Sequence, residues 1–129
     1  MTTWLNYDMV AVPKLPSAKR DWTMDYVIAT QIMEWELDPI HLWWKNQHGY
    51  FVHTEQAFSP TSDLKSAIEV LNKVAFDQGH YLIENHPEGG VLVSITLNGK
   101  TGTFISHSFT DAISQAVVRS LIANQVKVA

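Results

Sequence analysis

Asn98-Gly99 stands between two runs of alternating residues, Val91–Leu97 and Lys100–His107, and constrains this chain more than any other pair. A two-residue hairpin whose twist matches its strands needs positive φ at both turn positions, which Asn and Gly tolerate best. Such a turn sets Leu97 opposite Lys100, Val93 opposite Phe104 and Leu92 opposite Ile105. Val91, Val93, Ile95 and Phe104 then share one face. Leu92 and Ile105 share the other with Ser94, Thr96 and Thr103. Apolar groups on both faces favour a sheet covered on each side. His80–His86 adds a third strand through the turn Pro87-Glu-Gly-Gly90.

Three stretches carry the helical period. From Trp22 to Trp35, apolar residues recur at Met24, Val27, Ile28, Ile32 and Trp35, with Asp21 or Thr23 as cap and Pro39 closing the helix by Asp38. In the second, Leu64, Ala67, Ile68 and Leu71 form one stripe, and Gly79 fits a stop near Asp77. Ser59, Thr61, Ser62 and Asp63 precede it, each with an oxygen able to accept a free backbone N–H. In the third, Ser108 or Thr110 caps a helix whose inner face is Ile113, Ala116, Val117, Ser120 and Leu121, fraying after Asn124. Between the first two lies the aromatic segment His41–His53, which reads as two short strands around a turn at Asn46–Gly49. Adjacent residues of a strand point to opposite sides, so one of Trp43 and Trp44 is partly exposed.

Phe58-Ser-Pro-Thr-Ser-Asp63, followed by Ala67-Ile-Glu-Val70, resembles the central motif of the phage ABA-sandwich family of small bacteriophage proteins. That motif runs Phe-Ser-Pro-Ser-Thr-Asp, then Ala-Trp-Glu-Val, so Ile68 stands where the family has a large aromatic core side chain. Val27–Trp35 resembles the family's opening helix, which ends in Met-Gly-Trp, with Glu34 in place of the Gly. Asp111–Leu121 resembles its closing helix. The likeness runs from Asp25 to Leu121 and is weaker over residues 36–57. It implies a three-layer α/β/α sandwich and a phage accessory protein of the kind that counters host defence, some of which sequester nucleotide signals.

The chain has 129 residues, 46% hydrophobic and 17% charged, which suits one folded domain. The expected organisation is an extended N-terminal arm, 1–21, interrupted by Pro13 and Pro16, and a single domain, 22–129. The arm holds Trp4, Leu5, Tyr7, Met9 and Val10, too apolar for an idle tail. They suit an added strand or a neighbouring subunit. A net charge of -4 argues against general nucleic-acid binding. The absence of cysteine removes disulfides, thiolate metal sites and thiol nucleophiles. No run approaches the about 20 apolar residues that cross a membrane, and no leader-like start is present. The expected setting is the cytoplasm of an infected bacterial host.

No Gly-rich phosphate loop, nucleophile elbow or His-Glu-x-x-His pattern occurs, so turnover is not the favoured reading and no cofactor is implied. A nucleotide site is. Trp43 and Trp44 could stack on a base. Ser59, Thr61 and Ser62, with Lys45, Lys100 and Arg119, could take its phosphates. Such groups would converge best at the interface of a homo-oligomer. The first reading is therefore a non-catalytic sponge for a nucleotide-derived immune signal. The alternative is a module that inhibits a host protein through the aromatic segment and the arm. A third is a metal-dependent phosphodiesterase on His80, Glu84 and His86, which alternate along one strand.

Overall fold

The computed structural model describes residues 19–125. In order these form α1 (Trp22–Val27), a π-helical turn (Ile28–Ile32), β1 (Glu36–Asp38), β2 (Trp43–Lys45), β3 (Phe51–Thr54), α2 (Leu64–Phe76), β4 (His80–Asn85), β5 (Val91–Leu97), β6 (Lys100–Ser106) and α3 (Phe109–Gln125). The strands make two antiparallel sheets, β1-β2-β3 and β4-β5-β6. The fold class is α+β, as the alternating runs and helical stripes lead one to expect.

The hairpin forms in the register its turn dictates. Asn98 and Gly99 have φ of 51° and 79°, Leu97 pairs with Lys100, and Val93 pairs with Phe104. Val91, Val93 and Ile95 are buried under α3. Ser120 Oγ donates to the Lys100 carbonyl at 2.8 Å and Asn124 Nδ2 to the Leu97 carbonyl at 2.8 Å, tying α3 to both ends of the turn. On the opposite face, Ser94 pairs with Thr103 and Thr96 with Thr101 through their hydroxyls. Leu82 and Ile105 are exposed there. The cover that Leu92 and Ile105 suggest for this face is supplied by no helix among the described residues.

On the far side of the helices sits the smaller sheet. Trp44 of β2 is 1% exposed and packs edge-on against Tyr26 of α1, ring centroids 5.2 Å apart. His53 Nε2 of β3 is 2.9 Å from the Glu69 carboxylate of α2. Trp35 and Phe58 close the layer, centroids 4.8 Å apart.

Two helices differ from expectation. The first ends at Ile32, short of the Trp35 that its apolar period reaches. After one and a half turns it widens into the π-turn, in which Met33 N–H reaches the Ile28 carbonyl, and Glu36–Asp38 is a strand. Thr30 Oγ1 donates to the Tyr26 carbonyl at 2.8 Å, and such back-bonding weakens the regular ladder. Glu34 then takes φ of 61°, at the position where the resembling family carries Gly. A non-glycine residue there costs about 1–2 kcal/mol. In α2 the buried stripe is Ala67, Val70, Leu71 and Val74, not Leu64 through Leu71. Leu64 and Ile68 fall at its margin in solvent, so Ile68 is no core side chain. The helix stops through Gln78, whose φ is 65°, while Gly79 N–H reaches back to the Val74 carbonyl. Gly79 is needed for space, since a Cβ there would lie 2.8 Å from the Thr96 carbonyl oxygen.

Candidate interaction surface

The loop that enters α2 is built around a buried carboxylate. Asp25 is 1% exposed and accepts from Arg20 Nε at 2.8 Å, from the Thr61 N–H at 3.0 Å and from Ser59 Oγ at 3.3 Å. The same guanidinium donates to the carbonyls of Glu55, Gln56 and Phe58, and lies 3.4 Å above the Trp22 ring. Burial pushes the Asp25 carboxyl above its usual range, and the bonds from Thr61 and Arg20 work against that rise. Asp63 caps α2 by accepting from Ser66 N–H at 3.0 Å. The hydroxyl-rich stretch is therefore a lock between α1 and α2. Ser59 and Thr61 are interior, and Thr61 Oγ1 accepts the Asp21 N–H. Ser62 Oγ is bonded to Ser59 Oγ.

The aromatic segment divides as strand alternation requires. Trp44 points inward and is a core residue, so it cannot stack on a ligand. Trp43 points outward, stacked on His41 with centroids 4.4 Å apart and an angle of 9°, and meets Phe51 edge-on at 5.3 Å. Tyr50 (70% exposed), Ile40 (83%) and Leu42 are exposed in the turns that adjoin it. Beneath this edge Asp38 organises the turn. Its carboxylate accepts from the Ile40 N–H at 2.9 Å and the His41 N–H at 3.1 Å, and lies 3.2 Å from His41 Nδ1. These bonds hold its pKa at about 2, the two backbone N–H groups contributing most. Lys45 Nζ is 3.9 Å from the same carboxylate.

A folded-state pKa below the ordinary 3.8 means that Asp38 contributes stability above about pH 3.8 and loses it as pH falls through about 2. The amide resonances of Ile40 and His41 are accordingly expected to show, in NMR spectra, an acid titration step with a midpoint near 2.

The remaining residues chosen from the sequence do not gather in one place within the chain. Lys100 begins β6 beside the hairpin turn, and Arg119 lies on α3 with its guanidinium carbon 4.8 Å over Phe104. Trp43 and Lys45 are on β2, and Ser62 is at the entrance to α2. His80 and Glu84 lie exposed on β4, while His86 lies beyond that strand and its Nδ1 accepts the Glu88 N–H. Among the described residues no three His, Cys, Asp or Glu side chains are grouped to hold a metal ion. No helix among them is long and apolar enough to cross a membrane. Of the expected arm, residues 1–18 lie outside the described residues, and its end, Lys19–Asp21, is non-helical and pinned through Arg20. Sequence reasoning passed over Arg20, Asp25 and Asp38. Only Asp38 left a signal, since Asp-Pro-x-His can place a carboxylate over the following N–H groups.

Comparison with known proteins agrees with this architecture. The family model described as Phage ABA sandwich domain matches residues 26–118, from within α1 to within α3. The crystal structure of a phage protein from Bacillus cereus ATCC 14579 aligns over 89% of this chain and 99% of its own, with a TM-score of 0.55. At 14% identity that likeness is one of fold. No curated protein sequence matches the chain. With the family model spanning well over half of its residues, the chain belongs to the Phage ABA sandwich domain family.

Proposed function

We propose that this protein is a phage accessory protein that works by binding a protein partner through the outer side of the β1–β3 sheet. One observation carries the reading: exposed Phe51 packs edge-on against a Trp43–His41 stack that Asp38 holds through His41, and Tyr50, Ile40 and Leu42 are exposed in the adjoining turns. Large apolar groups in water mark interaction sites, and aromatic side chains supply most of the energy at protein interfaces. The family supports a phage origin, and the partner expected is a protein of the bacterial host cytoplasm.

Replacing Tyr50 and Phe51 together by serine is expected to weaken partner binding by at least about 30-fold, on the order of 2 kcal/mol for loss of an interface anchor. Thermal stability should move by less than about 0.5 kcal/mol, because both side chains are exposed. Trp44→Ala is not a useful variant, since emptying a core Trp site costs about 3–5 kcal/mol. Capture of host proteins by the native chain, repeated with the double variant, tests the reading. Equal capture by both would refute it.

A second reading, a sponge for a nucleotide-derived signal, rests on Trp43 and Lys45. They alternate on one side of β2 and offer a ring beside a cation. A homo-oligomer would be needed to bring Ser62, Lys100 or Arg119 to them. Calorimetry across a panel of cyclic nucleotides separates the two, since only the sponge gives heat of binding.

A further inference from the structure

β4 is an edge strand: among the described residues it pairs with β5 and with no other strand. Its Ile83 and Asn85 line a groove of about 540 Å³, together with Leu64 and Ile68 of α2 and Phe109 and Ile113 of α3. Leu64 and Ile68 are 49% and 43% exposed. Four residues apart on a helix, they stand one above the other and give the groove an aliphatic wall. None of the six lining residues is charged. An open strand edge beside an apolar groove is suited to an extended segment that pairs through its main chain and sets alternate side chains in the groove.

We propose that the occupant is this chain's own N-terminal segment, residues 4–11. Leu5, Tyr7, Met9 and Ala11 recur with period two, so an extended conformation would gather them on one apolar side. The only charge between residues 4 and 11, Asp8, falls on the opposite side by the same alternation. Pro13 and Pro16 follow, where a connection and not a ladder is needed.

The chain also starts in the right place. The Arg20 guanidinium donates to the Phe58 carbonyl and the Asp21 N–H to Thr61 Oγ1. Thr61 precedes Leu64 by three residues, at most about 11 Å of chain. Ala11 precedes Lys19 by eight, which span up to about 28 Å, while Leu64 and Ile68 are only about 6 Å apart along the helix. The tether keeps the segment at an effective concentration that a free partner must compete against.

Hydrogen exchange read by mass spectrometry on the full-length chain tests this. The paired variant Leu5→Asp with Met9→Asp strips the segment of its apolar side, and Ile68→Asp spoils the groove at an exposed position. In both, the amides of residues 81–85 that point away from β5 are expected to exchange at least tenfold faster than in the native chain, with those of α3 unchanged. In the native chain the protection should not vary with protein concentration. Unaltered exchange at 81–85 in the two variants would overturn the proposal. So would protection that vanishes on dilution, which would place a second copy in the groove instead.

Discussion

Gly102→Val is expected to lose more than about 3 kcal/mol of folding stability. Gly102 sits in β6 under α3, and a Cβ there would collide with the Ser120 nitrogen and the Ala116 carbonyl oxygen. Both obstacles are helix backbone, so no rotamer change relieves the clash. α3 would have to lift off the sheet, breaking the Ser120 and Asn124 bonds to the hairpin and uncovering Val93 and Ile95. Overpacking costs about 1–3 kcal/mol even where side chains can adjust, against total stabilities of about 5–15 kcal/mol. A loss above about 3 kcal/mol is therefore expected here. Gly99→Ala is the contrast. Its φ is 79° but nothing lies near a Cβ, so only the backbone conformation resists, at about 1–2 kcal/mol. Urea unfolding monitored by tryptophan fluorescence gives both values, and a Gly102 variant no worse than the Gly99 variant would contradict the close approach of α3.

Asp25→Ala is expected to cost about 3–5 kcal/mol, the usual consequence of breaking a buried charge pair from one side. The substitution strands the Arg20 guanidinium and leaves the Thr61 N–H and Ser59 hydroxyl without their acceptor. Arg20→Ala should be comparably severe, because it leaves the carboxylate buried and three loop carbonyls unbonded. In a double-mutant cycle the two losses should fall well short of adding, since each removes the same network. Additive losses in denaturant unfolding would show that Arg20 and Asp25 act separately. The pH dependence runs opposite to that of Asp38. Burial raises the Asp25 pKa above 3.8, so the stability linked to this group is full below that pH and declines as pH rises through the folded-state value. Acid should therefore loosen the Asp38 turn and leave this lock in place.

The two sheets and three helices were legible to different degrees. Asn98-Gly99 specifies the register of β5 and β6, because that pair suits a two-residue hairpin turn, and the observed pairing of Leu97 with Lys100 follows from it. The alternation at Trp43 and Trp44 was legible as a division into inside and outside, though not which was which, because both residues are equally apolar. The inner stripe of α2 is half legible: Ala67 and Leu71 are buried as expected, but Leu64 and Ile68 fit the helical period as well as Val70 and Val74 do, and tertiary packing chose between them. The hydroxyls of Ser59, Thr61 and Ser62 suit a helix cap or a phosphate, because local sequence does not reveal that Asp25, 34 residues before Ser59, accepts the Ser59 hydroxyl, or that the Asp21 N–H occupies Thr61 Oγ1. Long-range pairing of this kind has no local signature.

The most direct test of how this protein acts is native mass spectrometry of the chain purified from bacterial cells, alongside the Tyr50→Ser, Phe51→Ser variant. Binding through the aromatic side of the β1–β3 sheet predicts a complex with a protein partner that the native chain retains and the variant loses. A bound mass of nucleotide size, retained by the variant and unaccompanied by any protein partner, would contradict it and put Trp43 and Lys45 at the centre of the function.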